Sequence, residues 1–475
     1  MPETVKTLPF PRKPALIISR RISGMRKHSA NRRLCERPRN GRCVAVLLGF
    51  CAVGPSPAQE SAQPPQAEAI EASVPATRLE ARIEFERLID EGRFGEALVP
   101  GTEYLELTLA QFGAESIEAG QAWFTLAEAQ RQAELFDEAE LSYLNSIETY
   151  RSVEGPFSEL TIDPSIGLGD AYRDDGQYMN AVSAWNEART LQRRTFGLLS
   201  DEQIAVMDRM TGAFQAMSMY AEADEQQRAA LTLVERVHGL GSVEALAAMY
   251  KYARWLRSVY RFFEERDQYE RAIRIIRAEH GKDSTLLVEP WREIGNSFRA
   301  QTLEDPRGAS ALNSALELLE NQADPDPEQL AATLTDIGDW KTAFGPTGSG
   351  HEEYLRAWQV LGSAPNGAAR RTEWFQSTRP RIVYLENMSV RGLAQNPNDP
   401  DAVGGHVLVR FDVDMYGRTQ NVEVLESDPP GFKDESAARS MRQSRFRPRI
   451  EDGRFVTARG LGYMITFRFM PDDED

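Results

Sequence analysis

Five glycines, Gly113, Gly155, Gly197, Gly239 and Gly281, stand 42 residues apart. An aromatic keeps the same interval at Phe94, Phe136, Tyr178, Tyr220 and Phe262. So does an apolar position at Leu126, Leu168, Met210, Tyr252 and Ile294, while Ala97, Ala139, Ala181 and Ala223 follow three residues behind the aromatic. Residue classes held in register over five units require similar units stacked in line. A unit of this length cannot bury its apolar face alone, so each must lean on the next.

Each unit reads as two helices. Glu115–Gln132 has helical apolar spacing, Ala133-Glu134-Leu135 makes a turn, and Phe136 opens a second helix running to about Arg151. Ala139 is small enough to let the paired helices approach, and Gly155 ends the second helix where a positive φ is needed. Beyond residue 281 the register loosens. Ile294-Gly295 is echoed by Ile337-Gly338, and Asp305-Pro306 and Asp324-Pro325-Asp326-Pro327 supply breaks. About seven helix pairs are expected over residues 78–362. The recurring aromatics and glycines are read as packing and capping positions rather than ligand contacts.

The run Leu135-Phe136-Asp137-Glu138-Ala139 and the unit length resemble the tetratricopeptide repeat, in the long variety found in kinesin light chains. The resemblance implies a right-handed superhelix whose concave face binds peptides or protein segments. Residues 59–378 carry 29 basic and 54 acidic residues. That charge is either a solvated surface or a concave face selecting a basic partner.

The first 58 residues differ in kind. They hold twelve Lys or Arg against two acids, an apolar run from Val44 to Val53, and then Gly54-Pro55-Ser56-Pro57-Ala58. This is the pattern of an export signal. Ten helical residues reach only ~15 Å, about half the hydrocarbon thickness, so a spanning helix is the weaker reading. Residues 59–77, rich in Ala, Pro, Gln and Glu, read as a flexible linker. The expected location is the periplasm; the alternative is inner-membrane anchoring by an uncleaved signal. Membrane contact is confined to this segment. The strongly acidic remainder excludes nucleic acid as a partner. All three cysteines lie in the first 58 residues, and the five histidines lack metal-ligand spacing, so no metal or cofactor is expected.

After a second linker at 363–378 the pattern changes from helical to alternating. In residues 406–413, Val407, Val409, Phe411 and Val413 share one face of a strand, and Asp414-Met415-Tyr416-Gly417 turns the chain. Val422 and Val424 continue a second strand, and Phe432–Gln443 suits an amphipathic helix. Phe446-Arg447-Pro448 starts a third strand. A fourth carries Tyr463, Ile465, Phe467 and Phe469 on one side and Met464, Thr466 and Arg468 on the other. The expected order over residues 379–470 is β-β-α-β-β, with an acidic tail at 471–475.

Gly405–Val413 followed by Gly417, then Ser427 with Pro429-Pro430 and Phe432, Ala438, and Arg445-Phe446-Arg447-Pro448 ahead of Gly453 together resemble the TonB C-terminal domain. The resemblance implies a sheet edge that pairs with an extended segment of a periplasmic or outer-membrane partner. It makes Tyr463, Met464, Ile465, Thr466, Phe467, Arg468 and Phe469 the candidate docking strand. Arg439, Arg442, Arg445, Arg447 and Arg449 crowd together just before it. They are either a face docked on the acidic array of the same chain or a patch for an anionic partner.

The expected architecture is multidomain: an all-α helical-repeat solenoid, then a small α+β domain of antiparallel sheet and one helix. No nucleophile elbow, phosphate loop or paired catalytic carboxylate has supporting context, and Gly167-Leu168-Gly169 falls inside an expected helix. The expected function is a non-catalytic periplasmic protein-binding scaffold. The alternative is a TonB-type energy transducer coupling the inner membrane to an outer-membrane receptor.

Overall fold

A computed structural model describes residues 77–379, 381–388, 393 and 402–470. The expected export signal, all of the first linker but Thr77, and the acidic tail lie outside the described residues.

Fourteen helices form seven consecutive pairs: α1 (Arg78–Asp90) with α2 (Phe94–Phe112), α3 (Ile117–Gln132) with α4 (Phe136–Glu154), α5 (Ile162–Asp174) with α6 (Tyr178–Thr195), α7 (Glu202–Ala216) with α8 (Tyr220–His238), α9 (Leu246–Ser258) with α10 (Phe262–His280), α11 (Val288–Ala300) with α12 (Pro306–Glu320), and α13 (Pro327–Phe344) with α14 (His351–Val360). The recurring aromatic is the first residue of the second helix in five pairs. The recurring glycine follows that helix with φ between +84° and +103°.

Two further periodic devices hold the units. Ser116, Ser158, Ser200, Ser242 and Ser284 also stand 42 residues apart, each at the entry to a unit. Ser116, Ser158 and Ser284 accept backbone N–H bonds there. The turn inside each of the first six pairs places one residue at positive φ: Gly92, Glu134, Gly176, Ser218, Tyr260 and Thr302, again at intervals of 42. At Glu134 its own N–H bonds the Arg131 carbonyl and the next N–H, on Leu135, bonds that of Gln130. This is the 5→2 and 6→1 pairing that closes a helix with a left-handed residue.

The recurring aromatics are not the centre of the core. Phe94, Phe136, Tyr178 and Phe262 are half-buried and Tyr220 is exposed. The deeper anchors lie seven residues further on, at Tyr143, Trp185 and Tyr269, which are fully buried. They seat against small residues. A Cβ on Gly169 would lie 2.3 Å from the Trp185 ring nitrogen, and one on Gly167 would lie 2.5 Å from Tyr143. Arginine–carboxylate pairs about one unit apart staple neighbouring pairs together: Arg131–Asp174 at 2.8 Å, Arg209–Asp170 at 3.0 Å, Arg261–Asp224 at 2.7 Å and Arg292–Asp336 at 2.7 Å. Part of the acidic charge of the array is thus internal structure rather than free surface.

The stretch 363–378, expected as a linker, carries a helix α15 (Gly367–Phe375). Phe375 is buried with Tyr354 and Leu361, so this segment extends the array's core.

The C-terminal domain contains β1 (Ile382–Tyr384), β2 (Val403–Val413), β3 (Thr419–Asp428), α16 (Asp434–Gln443), β4 (Arg445–Phe446), β5 (Arg449–Glu451), β6 (Arg454–Val456) and β7 (Ala458–Phe469). The main sheet is antiparallel with order β3-β2-β7. Val407, Val409 and Phe411 of β2 bury against Ala437 and Met441 of α16. Gly417 is required at the β2–β3 turn, since a Cβ there would lie 2.2 Å from the Phe446 carbonyl oxygen. The expected third strand does not join this sheet. Pro448 has no N–H to continue a ladder, and it separates β4, which pairs with β1, from β5, which pairs with β6. Ile450 of β5 turns into the core made by Leu334, Tyr354 and Phe375.

Candidate partner-binding edge and domain interface

β7 lies at one edge of the main sheet, hydrogen-bonded on one side to β2 with Val407 opposite Ile465 and Leu408 opposite Met464. Among the described residues no strand covers its other side. Its residues alternate as the sequence predicts. Tyr463, Ile465, Phe467 and Phe469 are half-buried on the α16 face, while Met464, Thr466 and Arg468 are exposed. Phe467 and Phe469 extend into a small aromatic cluster with Phe432, whose ring lies 6.0 and 5.1 Å from theirs. A shallow groove at this end of β7 is lined by Met388, Leu393, Gly405, Met464, Thr466 and Phe467. An uncovered strand edge beside apolar footholds offers backbone N–H and C=O groups to an incoming extended segment, with side-chain sites alongside.

The five arginines do not form one surface. Arg439 pairs with Glu435 one helical turn away at 2.8 Å, and Arg449 pairs with Glu451 at 2.6 Å. Arg445 donates to the carbonyls of Gln443 and Ser444. Arg442 is exposed. Arg447 points the other way, into the array, so it is no part of an outward anionic-partner patch. Its Nε and Nη2 donate to the two oxygens of Asp339 on α13 at 2.8 and 2.7 Å, and its Nη1 donates to the Trp374 carbonyl at 3.2 Å. For Arg447, docking on the acidic array of the same chain is what the structure contains.

Asp339 is fully buried and also accepts from the Tyr354 hydroxyl at 2.9 Å. Burial by itself would push its carboxyl upward, but the Arg447 and Arg299 guanidiniums outweigh that and hold it below the usual range. The same burial, with the Asp339 charge beside it, drives the Tyr354 hydroxyl well above its ordinary value. Around this pair the interface is aromatic. His351 stacks on Phe455 and Tyr416 at 3.9 and 5.3 Å, and its Nε2 lies 2.8 Å from the Met415 carbonyl oxygen. Phe344 meets Tyr384 edge-on at 6.1 Å. The domain therefore sits on the last two helix pairs through a buried charge pair ringed by apolar contacts. Neither the Asp339 partnership nor the His351 stack is signalled by the repeat, because α13 and α14 fall where the 42-residue register has loosened.

Gly167 and Gly169 lie within α5, against Tyr143 and Trp185. Their role is helix packing.

Residues 401–469 match the family model described as the Gram-negative bacterial TonB protein C-terminal. No curated protein matches the chain. Among solved structures it is similar to the TPR-like repeats of a putative kinesin light chain from Podosopora anserina, at 16% identity and TM-score 0.36, covering 42% of this chain and 96% of that one. It is also similar to the C-terminal part of a TPR repeat-containing protein from Cytophaga hutchinsonii, at 9% identity and TM-score 0.39, covering 61% and 98%. A third is a Rap protein complexed with competence and sporulation factor, at 14% identity and TM-score 0.31, covering 62% and 76%. The chain thus joins an array of helix pairs, the first five in register every 42 residues, to a domain at residues 401–469 that matches the TonB C-terminal family model.

Proposed function

We propose that this protein is a non-catalytic periplasmic scaffold that joins two protein partners, one held by the helical array and one by the edge of the C-terminal sheet. The observation that carries the reading is β7. It is an edge strand of twelve residues, covered on one side only among the described residues, with alternating footholds from Tyr463 to Phe469. A partner segment in extended conformation would add to this edge through backbone hydrogen bonds, and Met464, Thr466 and Arg468 would set which side chains fit. The array supplies a second surface on the same molecule. The buried Arg447–Asp339 pair keeps the two at a defined angle, which suits a scaffold better than a flexible tether.

Photo-crosslinking in intact cells tests this. A photoreactive residue placed at Met464, Thr466 or Arg468 is expected to trap one common partner, and the same residue at exposed Arg439 is expected not to. A common product from all four positions, or from none, would sink the edge-pairing reading. Fractionation and N-terminal sequencing of the protein test the location, since a cytoplasmic, uncleaved chain is incompatible with it.

A further inference from the structure

The cleft between α11, α13 and the segment entering β1 collects more positive charge than the protein neutralises. Arg292 is matched by Asp336 at 2.7 Å, Arg257 by Glu293 at 2.8 Å, and Arg447 by Asp339. Arg299 shares Asp339 with Arg447, and Arg379 and Arg381, beside Glu373 on the same wall, are left over. Arg299, with a side chain only 10% exposed, reaches Asp339 no closer than 3.6 Å, and Asp339 is already engaged by Arg447. Its Nη atoms donate to Asn296 and to the Val383 carbonyl, and its Nε is buried with no acceptor. Arg379 and Arg381 line the cleft and have no carboxylate within ion-pair distance among the described residues.

A buried guanidinium nitrogen without an acceptor carries an unrepaid desolvation cost, larger because it is charged, so natural structures rarely keep one without a use. Like charges gathered at a cleft add to that cost. Arg381 is exposed, yet the loss of water around it first, and the Arg447 charge beside it second, hold its guanidinium below its ordinary pKa. Two neighbouring cavities share Arg292, Asp336 and Arg381 in their walls; Arg379 lines the first and Arg299 the second, with Arg381 common to both.

We propose that this cleft is an oxyanion-binding site in which Arg299 from the array and Arg379 and Arg381 from the C-terminal domain converge on a phosphate or carboxylate group. The ligand would touch both domains at once. Its binding would add to the Arg447–Asp339 lock and tighten the angle between array and sheet. This site is separate from the β7 edge and stands whether or not that edge binds a partner.

The test is thermal unfolding of the full chain, titrated at constant ionic strength with inorganic phosphate, with the acetylated dipeptide acetyl-Ala-Ala as a free carboxylate, and with chloride as control. Wild type is expected to show a saturable rise in Tm with phosphate or with the dipeptide but not with chloride. In Arg381→Gln the half-saturating concentration should increase about tenfold or more, one charge-assisted contact having been lost. Without ligand, Arg381→Gln should melt no lower than wild type, because it removes a repelling charge. That baseline separates a ligand-binding arginine from a structural one. Whichever of the two anions acts identifies the source of the oxyanion. Equal response to chloride, no response to either anion, or an unchanged midpoint in Arg381→Gln would each overturn the proposal.

Discussion

Arg447 and Asp339 are 108 residues apart in sequence, yet the guanidinium of one grips both carboxylate oxygens of the other at 2.8 and 2.7 Å. Both side chains are buried, Asp339 completely. This pair is the hinge pin between a helical array and a β domain that otherwise have unrelated sequence patterns. Its geometry makes the junction directional, since a bidentate pair fixes orientation as well as distance.

Removing one partner should therefore be severe. Asp339→Asn leaves the Arg447 charge buried and half-satisfied, and is expected to lower stability to urea by roughly 3–5 kcal/mol. The double variant Asp339→Leu with Arg447→Met replaces the pair by apolar groups and should recover most of that loss. If the double variant were as unstable as the single one, the penalty would not come from an orphaned charge.

The pair also sets an acid limit. Because the folded-state pKa of Asp339 is depressed, its contribution is fully present above the unfolded carboxylate range near pH ~4 and disappears as pH falls through the folded-state value. Urea midpoints of wild type and Asp339→Asn should differ most at neutral pH and converge below about pH 4. A constant difference across that range would mean that the ionised form of Asp339 is not what stabilises the junction.

Glycines inside the array's helices divide into two kinds. Gly169 is pressed against Trp185, so Gly169→Ala should cost roughly 1–3 kcal/mol by overpacking. Gly212 lies within α7 with nothing within 4 Å of where a Cβ would go. Gly212→Ala should stabilise by about 0.5–1 kcal/mol through helix propensity. Thermal unfolding of the two variants reads the opposite signs directly.

The two faces of the C-terminal sheet should respond just as differently. Phe411 is fully buried against α16 and Phe446, and Phe411→Ala should cost about 3–5 kcal/mol. Met464, on the opposite face of the neighbouring strand and 52% exposed, should tolerate Ala within about 0.5 kcal/mol. A large loss at Met464 in the isolated protein would show that its side chain supports the fold rather than standing free for a partner.

Much of this molecule is written in its periodicities. The interval of 42 placed an aromatic at the start of the second helix in the first five pairs and a left-handed glycine after it, because helix ends make local demands that local residues meet. Two more devices obey the same interval: the entry serines from Ser116 to Ser284, which are equally readable, and the left-handed turn position at residues 92, 134, 176, 218, 260 and 302. The turn position hides because only two of its six occupants are glycine. Alternation likewise placed Val407, Val409 and Phe411 inside and Met464 and Arg468 outside, since side chains on a strand can face only two ways.

Three things were decided by tertiary structure alone. Trp185, Tyr143 and Tyr269, rather than the recurring aromatics, fill the core, because burial depends on what the neighbouring helix offers opposite each residue. Residues 367–375 became helix α15 because Phe375 found a pocket beside Tyr354 and Leu361. And of five similar-looking arginines, Arg447 alone turned inward to Asp339. A charge pair between distant segments has no period to betray it; it exists only where folding has brought two side chains together out of water.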